Sequence, residues 1–161
     1  MLWLERWNMK SFMRLGIVLV LGISSATCFA RQKESFYGAW IVDGAIANGA
    51  VTALTTSEER RLIGRKVVYS SKILLSGKRK IIPHYRKRRL SYRGFFEVWN
   101  SKLDSIGIKR NSVVQVDVYT DSRYENLWTG FGGTLFIKDK DTIVVVYAGE
   151  FFTLKRRKHD Q

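Results

Sequence analysis

Seven positive side chains fall within the twelve residues KRKIIPHYRKRR (78–89), and no acidic residue lies between Glu59 and Glu97 to relieve them. Lys78, Arg79, Lys80, Arg86, Lys87, Arg88 and Arg89 at this spacing suit recognition of an anion rather than bond-making chemistry. Tyr85 and Tyr92 lie among them and offer faces for stacking on sugars or bases. Arg86 and Arg88 alternate with Lys87 and Arg89, so an extended backbone would send one pair to each face. A barrel interior would not take either pair without compensation. The spacing therefore predicts a β-hairpin that projects beyond the body of the fold, with both faces in solvent.

Residue types that carry other chemistries do not converge. The chain has two histidines, His84 among cations and His159 in a basic tail, and a metal centre needs more ligands than these provide. No cofactor is expected. Asp139 and Asp141 flank a turn. Glu97, Asp104 and Glu150 could be drawn as carboxylates for glycoside hydrolysis, but nothing in their spacing selects them. The serines lack a nucleophile turn and a well-placed base. Gly130, Gly132 and Gly133 lack the helix and lysine of a phosphate loop, and suit a bulge or a bend before a strand. No catalytic residue is assigned.

The 161-residue chain carries a formal net charge of +14 and a single proline. That length and apolar content support one folded domain. Residues 1–30 have the layout of an export signal beginning at Met9: Lys10 and Arg14, an apolar run from Leu15 to Ile23, then small residues up to Ala30. Cleavage after Ala30 removes Cys28, which sits in a poor lipidation context, and leaves a cysteine-free domain over 31–161 with charge +12. The expected location is periplasmic or extracellular, which sets aside a cytoplasmic nucleic-acid role.

The mature chain reads mainly as strands. FYGAWIV (36–42) places Phe36, Gly38, Trp40 and Val42 on one face. Thr56 with Glu59 forms a capping-box pattern for a short helix ending near Gly64. RKVVYSSKILL (65–75) alternates as one strand, SGK (76–78) turns, and Pro83 interrupts the return. Phe95, Phe96, Trp99, Leu103 and Ile106 recur at helical spacing, and Gly107 stops that run. SVVQVDVY (112–119) puts valines inward and Gln115 and Asp117 outward. FGGTLFIK, TIVVVYA and EFFTLKRR, joined at DKD and AG, form an antiparallel meander. About eight antiparallel strands and two short helices predict a barrel, whose closure would remove exposed edges.

Gly38-Ala39-Trp40 resembles the Gly-x-Trp signature on the first strand of lipocalins and related calycin barrels. The resemblance implies a lipocalin-like barrel in which Trp40 closes one end and a basic residue of the last strand packs across it. Arg156 is the candidate, because it shares the parity of Phe152 and Leu154. The layout as a whole is similar to small exported envelope proteins of bacteria. The functional expectation is a non-catalytic exported binding protein for an anionic envelope polymer or lipid head groups. The alternatives are an inhibitor or immunity-type protein docking an acidic partner, and, third, a hydrolase.

Overall fold

The computed structural model describes residues 34–46 and 53–157. The segment expected to be an export signal, with Cys28 and Ala30, and His159 in the tail lie outside the described residues. Nine antiparallel strands form one curled, half-barrel sheet accompanied by two α-helices. The strands are β1 (Gly38–Ile46), β2 (Lys66–Tyr69), β3 (Leu74–Ser76), β4 (Arg79–Ile81), β5 (His84–Ser91), β6 (Ser112–Tyr119), β7 (Thr134–Ile137), β8 (Thr142–Tyr147) and β9 (Glu150–Arg156). Their order across the sheet is β4-β3-β2-β1-β9-β8-β7-β6-β5. Helices α1 (Thr56–Leu62) and α2 (Tyr92–Trp99) and a 3-10 turn (Asp104–Ile106) complete the described elements.

The mainly β, antiparallel class with two short helices is the one expected. The ninth strand arises because 65–75 is a hairpin and not one strand. Ser70 Oγ accepts from the backbone N–H of Lys72 and Ile73, an ST-turn that folds the chain back. The fold-back reverses parity, so Leu74 is buried while Ile73 and Leu75 are only half-buried. Gly77 (φ 60°) then leads a two-residue turn into β4, and Ala148 (φ 51°) with Gly149 (φ 83°) joins β8 to β9. Positive φ at both residues of that second turn matches the twist of the flanking strands.

Two cores sit on opposite faces of the sheet. The concave face buries Phe36, Trp40, Val42, Val67, Tyr69, Val116, Val118, Leu135, Ile143, Val145, Phe152 and Leu154. The convex face of β6–β9 buries Phe136, Val144 and Phe151 beneath Phe95 of α2 and Leu103, Ile106 and Ile108. Burial on both faces explains why TIVVVY reads as a continuous apolar run and not as an alternation. In β1 a bulge between Val42 and Gly44 flips the alternation, sending Ala45 to the concave core and Ile46 to the convex one.

Both helices differ in detail from the sequence reading. The α1 cap is Thr55 with Glu58, one residue earlier than Thr56 with Glu59. Glu58 returns its carboxylate to the Thr55 backbone N–H at 2.8 Å, which holds that carboxyl below its usual range. Helix α2 ends at Trp99, because Asn100 adopts a left-handed conformation (φ 46°) and bonds back to Phe96 O. Leu103 and Ile106 therefore reach the core from the following loop and 3-10 turn. Of the apolar stripe, Phe95 is buried and Phe96 faces solvent.

The sheet remains open between β4 and β5, although only Ile82 and Pro83 separate them in sequence. Register places Arg79 on the concave side of β4, and Tyr85, Lys87 and Arg89 on the concave side of β5. Like charges facing one another across a seam oppose closure, and Pro83 supplies no donor. The N-terminal residues fill the gap instead. Phe36 packs edge-on against Tyr69 and Tyr85, Tyr85 Oη donates to Ser70 O at 2.9 Å, and Lys87 pairs with Glu34 at 2.7 Å.

The projecting cationic hairpin is accordingly not formed. Residues 79–81 are paired with β3, and 84–91 pair residue for residue with 112–119. Arg86, Lys87, Arg88 and Arg89 are nonetheless all exposed, because β5 is an edge strand, and two of them meet distant acids: Lys87 pairs with Glu34, and Arg88 lies near Asp117.

Candidate functional site

At one end of the sheet Trp40 is fully buried, and its indole N–H donates to Phe36 O at 2.9 Å. Arg156, its register partner on β9, lies with Cζ 4.2 Å from the indole centroid. The guanidinium also donates from Nη1 to Tyr37 O and from Nε to Lys140 O, each at 2.8 Å, and from Nη2 to Ser35 O. Gly38 has φ 145°, a conformation that L side chains rarely adopt, and a Cβ there would also displace the Arg156 Nη1 that lies 2.5 Å from its position. These contacts fasten the first and last strands together. Asp139 and Asp141 form the adjacent turn, in which Asp139 Oδ1 accepts from the Asp141 N–H and Asp141 stands 3.9 Å from Arg156.

The loop between β6 and β7 covers part of the concave core. Phe131 is buried, Tyr69 Oη donates to Gly132 O at 3.0 Å, and Arg79 lies 5.7 Å from the Trp128 ring. The glycines are steric requirements of this packing: a Cβ at Gly130 would strike the Trp128 ring, and one at Gly133 the Trp128 carbonyl. Asp121 organises the start of the loop by accepting from the backbone N–H of Asn126, Glu125 and Arg123, which holds its carboxyl below the usual range.

On the convex face this loop, α2 and the edge strand β5 border a cleft of about 450 Å³. That volume lies within the range of about 300–1,000 Å³ common to small-ligand sites. Val98 and Trp99 come from α2, Leu127 from the loop, Tyr119 from β6, and Arg86, Lys87 and Arg88 from β5. The floor is polar and interconnected. Trp99 Nε1 donates to Gln115 Oε1 at 3.1 Å, Gln115 Nε2 reaches Asp117 Oδ1 at 2.7 Å and Oδ2 at 2.9 Å, and Thr134 Oγ1 donates to Asp117 Oδ1 at 3.0 Å. Asp117 is only 7% exposed. Arg88 Nε stands 3.6 Å from Asp117 Oδ2, close enough for charge attraction but too long for a hydrogen bond.

The cationic stretch is thus divided between the two sheet edges. Lys78 lies in the β3–β4 turn, and Arg79 and Lys80 are on β4. Arg86 and Arg88 face the convex side beside Asp117 and Gln115, with which they pair in register, while Lys87 and Arg89 lie on the concave side. Tyr85 is engaged by Phe36 and Ser70, and burial pushes its phenol well above the usual range. Tyr92, the first residue of α2, packs on the convex core. Tyr85 is thus engaged within the fold, and Tyr92 is partly buried against the convex core.

Gln115 and Asp117 do point outward, but Trp99 of α2 caps Gln115, and Asp117 lies on the floor of the cleft. One signal for this was available: a tryptophan on the buried stripe of a helix needs a partner for its indole N–H, and a polar residue on the strand beneath provides one. Leu127 had no comparable signal, because its loop has no periodicity. Glu97 is ion-paired to Arg93 on the exposed side of α2, Asp104 begins the 3-10 turn, and Glu150 begins β9, so the three carboxylates stand on separate elements. The cleft lining contains one carboxylate, Asp117.

Among the described residues, no helix is long and apolar enough to cross a membrane. Comparisons of the chain with family models, curated proteins and solved structures give no match.

Proposed function

We propose that the protein is an exported, non-catalytic binding protein that takes anionic ligands at the convex cleft beside β5. The observation that supports this most directly is the state of Arg86 and Arg88. Both stand at the rim of the cleft on an edge strand, Arg86 has no carboxylate within ion-pair distance among the described residues, and Arg88 is held only loosely by Asp117. Guanidinium groups left in this condition supply the charge-assisted, paired donors that carboxylate, sulfate and phosphate groups fit. The net charge of the exported form, +12 over 31–161, attracts such ligands over a longer range at low salt.

The test is a pair of double variants with equal charge change. R86Q/R88Q should weaken binding to heparin or an anionic polysaccharide by about tenfold or more at low salt, taking about 1 kcal/mol per partly exposed contact. It should also flatten the salt dependence. K78Q/K80Q, on the opposite edge, should retain most of the affinity. Equal losses in the two variants would reduce the interaction to net charge and remove the cleft from it.

Export belongs to the same proposal. The exported form should begin near Arg31 without lipid, as read by intact mass. A diacylated Cys28 would make the protein an anchored one instead.

A further inference from the structure

A buried carboxylate is an odd floor for a site that only attracts anions. Asp117 would repel any phosphate or sulfate that descended past the rim, and an ammonium group would be repelled by Arg86 and Arg88 around it. What fits between them is a neutral hydrogen-bond donor. The hydrogen bonding of Asp117 leaves room for one: Oδ1 accepts from both Gln115 and Thr134, whereas Oδ2 accepts from Gln115 alone and stands 3.6 Å from Arg88 Nε. An ionised carboxyl oxygen has acceptor capacity beyond a single bond. The walls above it, Val98 and Leu127, are apolar and about half exposed, at 50% and 45%.

From this arrangement we infer that the ligand is an acidic saccharide. One sugar ring enters the cleft, a hydroxyl donates to Asp117 Oδ2, and the apolar faces of the ring lie against Val98 and Leu127. The sulfate, carboxylate or phosphate groups of that sugar or its neighbours stay at the rim on Arg86 and Arg88. The inference rests on the anion-binding reading above and adds the class of molecule that carries the charge.

The experiment compares two probes, a heparin oligosaccharide and inorganic polyphosphate, which has charge but no hydroxyl-bearing ring. The variant is D117N, with its fold checked by thermal melting. Loss of a negative charge alone would tighten both probes. The inference predicts opposite changes: saccharide affinity falls about fivefold or more, and polyphosphate affinity holds or rises. L127A, at an exposed wall position with no change of charge, should lower saccharide affinity about threefold and leave polyphosphate unchanged, which keeps the test decisive if D117N does not fold. Tighter binding of both probes by D117N, or L127A indistinguishable from wild type on saccharide, would overturn the saccharide assignment and leave the anion-binding reading standing. Failure of both probes to bind wild type in a salt-dependent way would instead overturn the underlying reading.

Discussion

Trp40→Ala should lower stability by about 3–5 kcal/mol, the usual cost of removing a large aromatic from a core. The indole is fully buried, bonds to Phe36 O and lies under the Arg156 guanidinium. Its removal opens a cavity, leaves the Phe36 carbonyl short of a donor and takes away the surface on which Arg156 rests. Arg156 joins the segment 35–37 to the β7–β8 turn, so the damage should spread along the β1–β9 pairing. A domain of this size would melt on the order of 10–20 °C lower. Trp40→Phe, which keeps most of the packing, should fall between the two. A Trp40→Ala protein that melts within a few degrees of wild type would show that this end of the sheet is not fastened through the indole.

Phe136→Ala should cost a similar amount, about 3–5 kcal/mol, but in the other core. Phe136 is fully buried and meets Phe95 at 5.1 Å and Trp99 at 5.5 Å, both edge-on. These contacts seat α2 on β7, and α2 carries the Val98 and Trp99 wall of the cleft. The two variants therefore separate by location. In hydrogen exchange, Phe136→Ala should lose amide protection first over residues 92–108, whereas Trp40→Ala should lose it first along β1 and β9. Uniform loss of protection in both would mean that the two faces unfold as one unit.

These two positions also show where the sequence was readable. Trp40 follows a clean alternation with Phe36 and Val42, so both its burial and its strand can be read from period two. The β7–β8–β9 meander is equally plain, because Asp139-Lys140-Asp141 and Ala148-Gly149 mark its turns. Phe136 on its own gives less, because β7 and β8 are covered on both faces and their apolar runs do not say which side packs on what. The split of 65–75 depends on a serine side chain competing for backbone donors, a local effect that the alternation of Val67, Tyr69, Ile73 and Leu75 conceals. The cationic stretch was legible as a charge feature and misread as a shape. Its residues 86–89 reach solvent by lying on an edge strand, and the acids that meet two of them, Glu34 and Asp117, are distant in sequence, so no local count of acidic residues reveals them. The cleft itself was not legible, since it exists only where α2, β5, β6 and the 120–133 loop meet.

The claim that joins these observations is that the ligand sits beside β5 on the convex face. Amide chemical-shift mapping during titration with a heparin oligosaccharide tests it most directly. The largest shifts should fall on Arg86, Lys87 and Arg88, on Val98 and Trp99, on Gln115 and Asp117, and on Leu127 and Thr134. Shifts centred on Lys78 to Lys80 or around Lys140 and Arg156, with β5 and α2 unmoved, would contradict it.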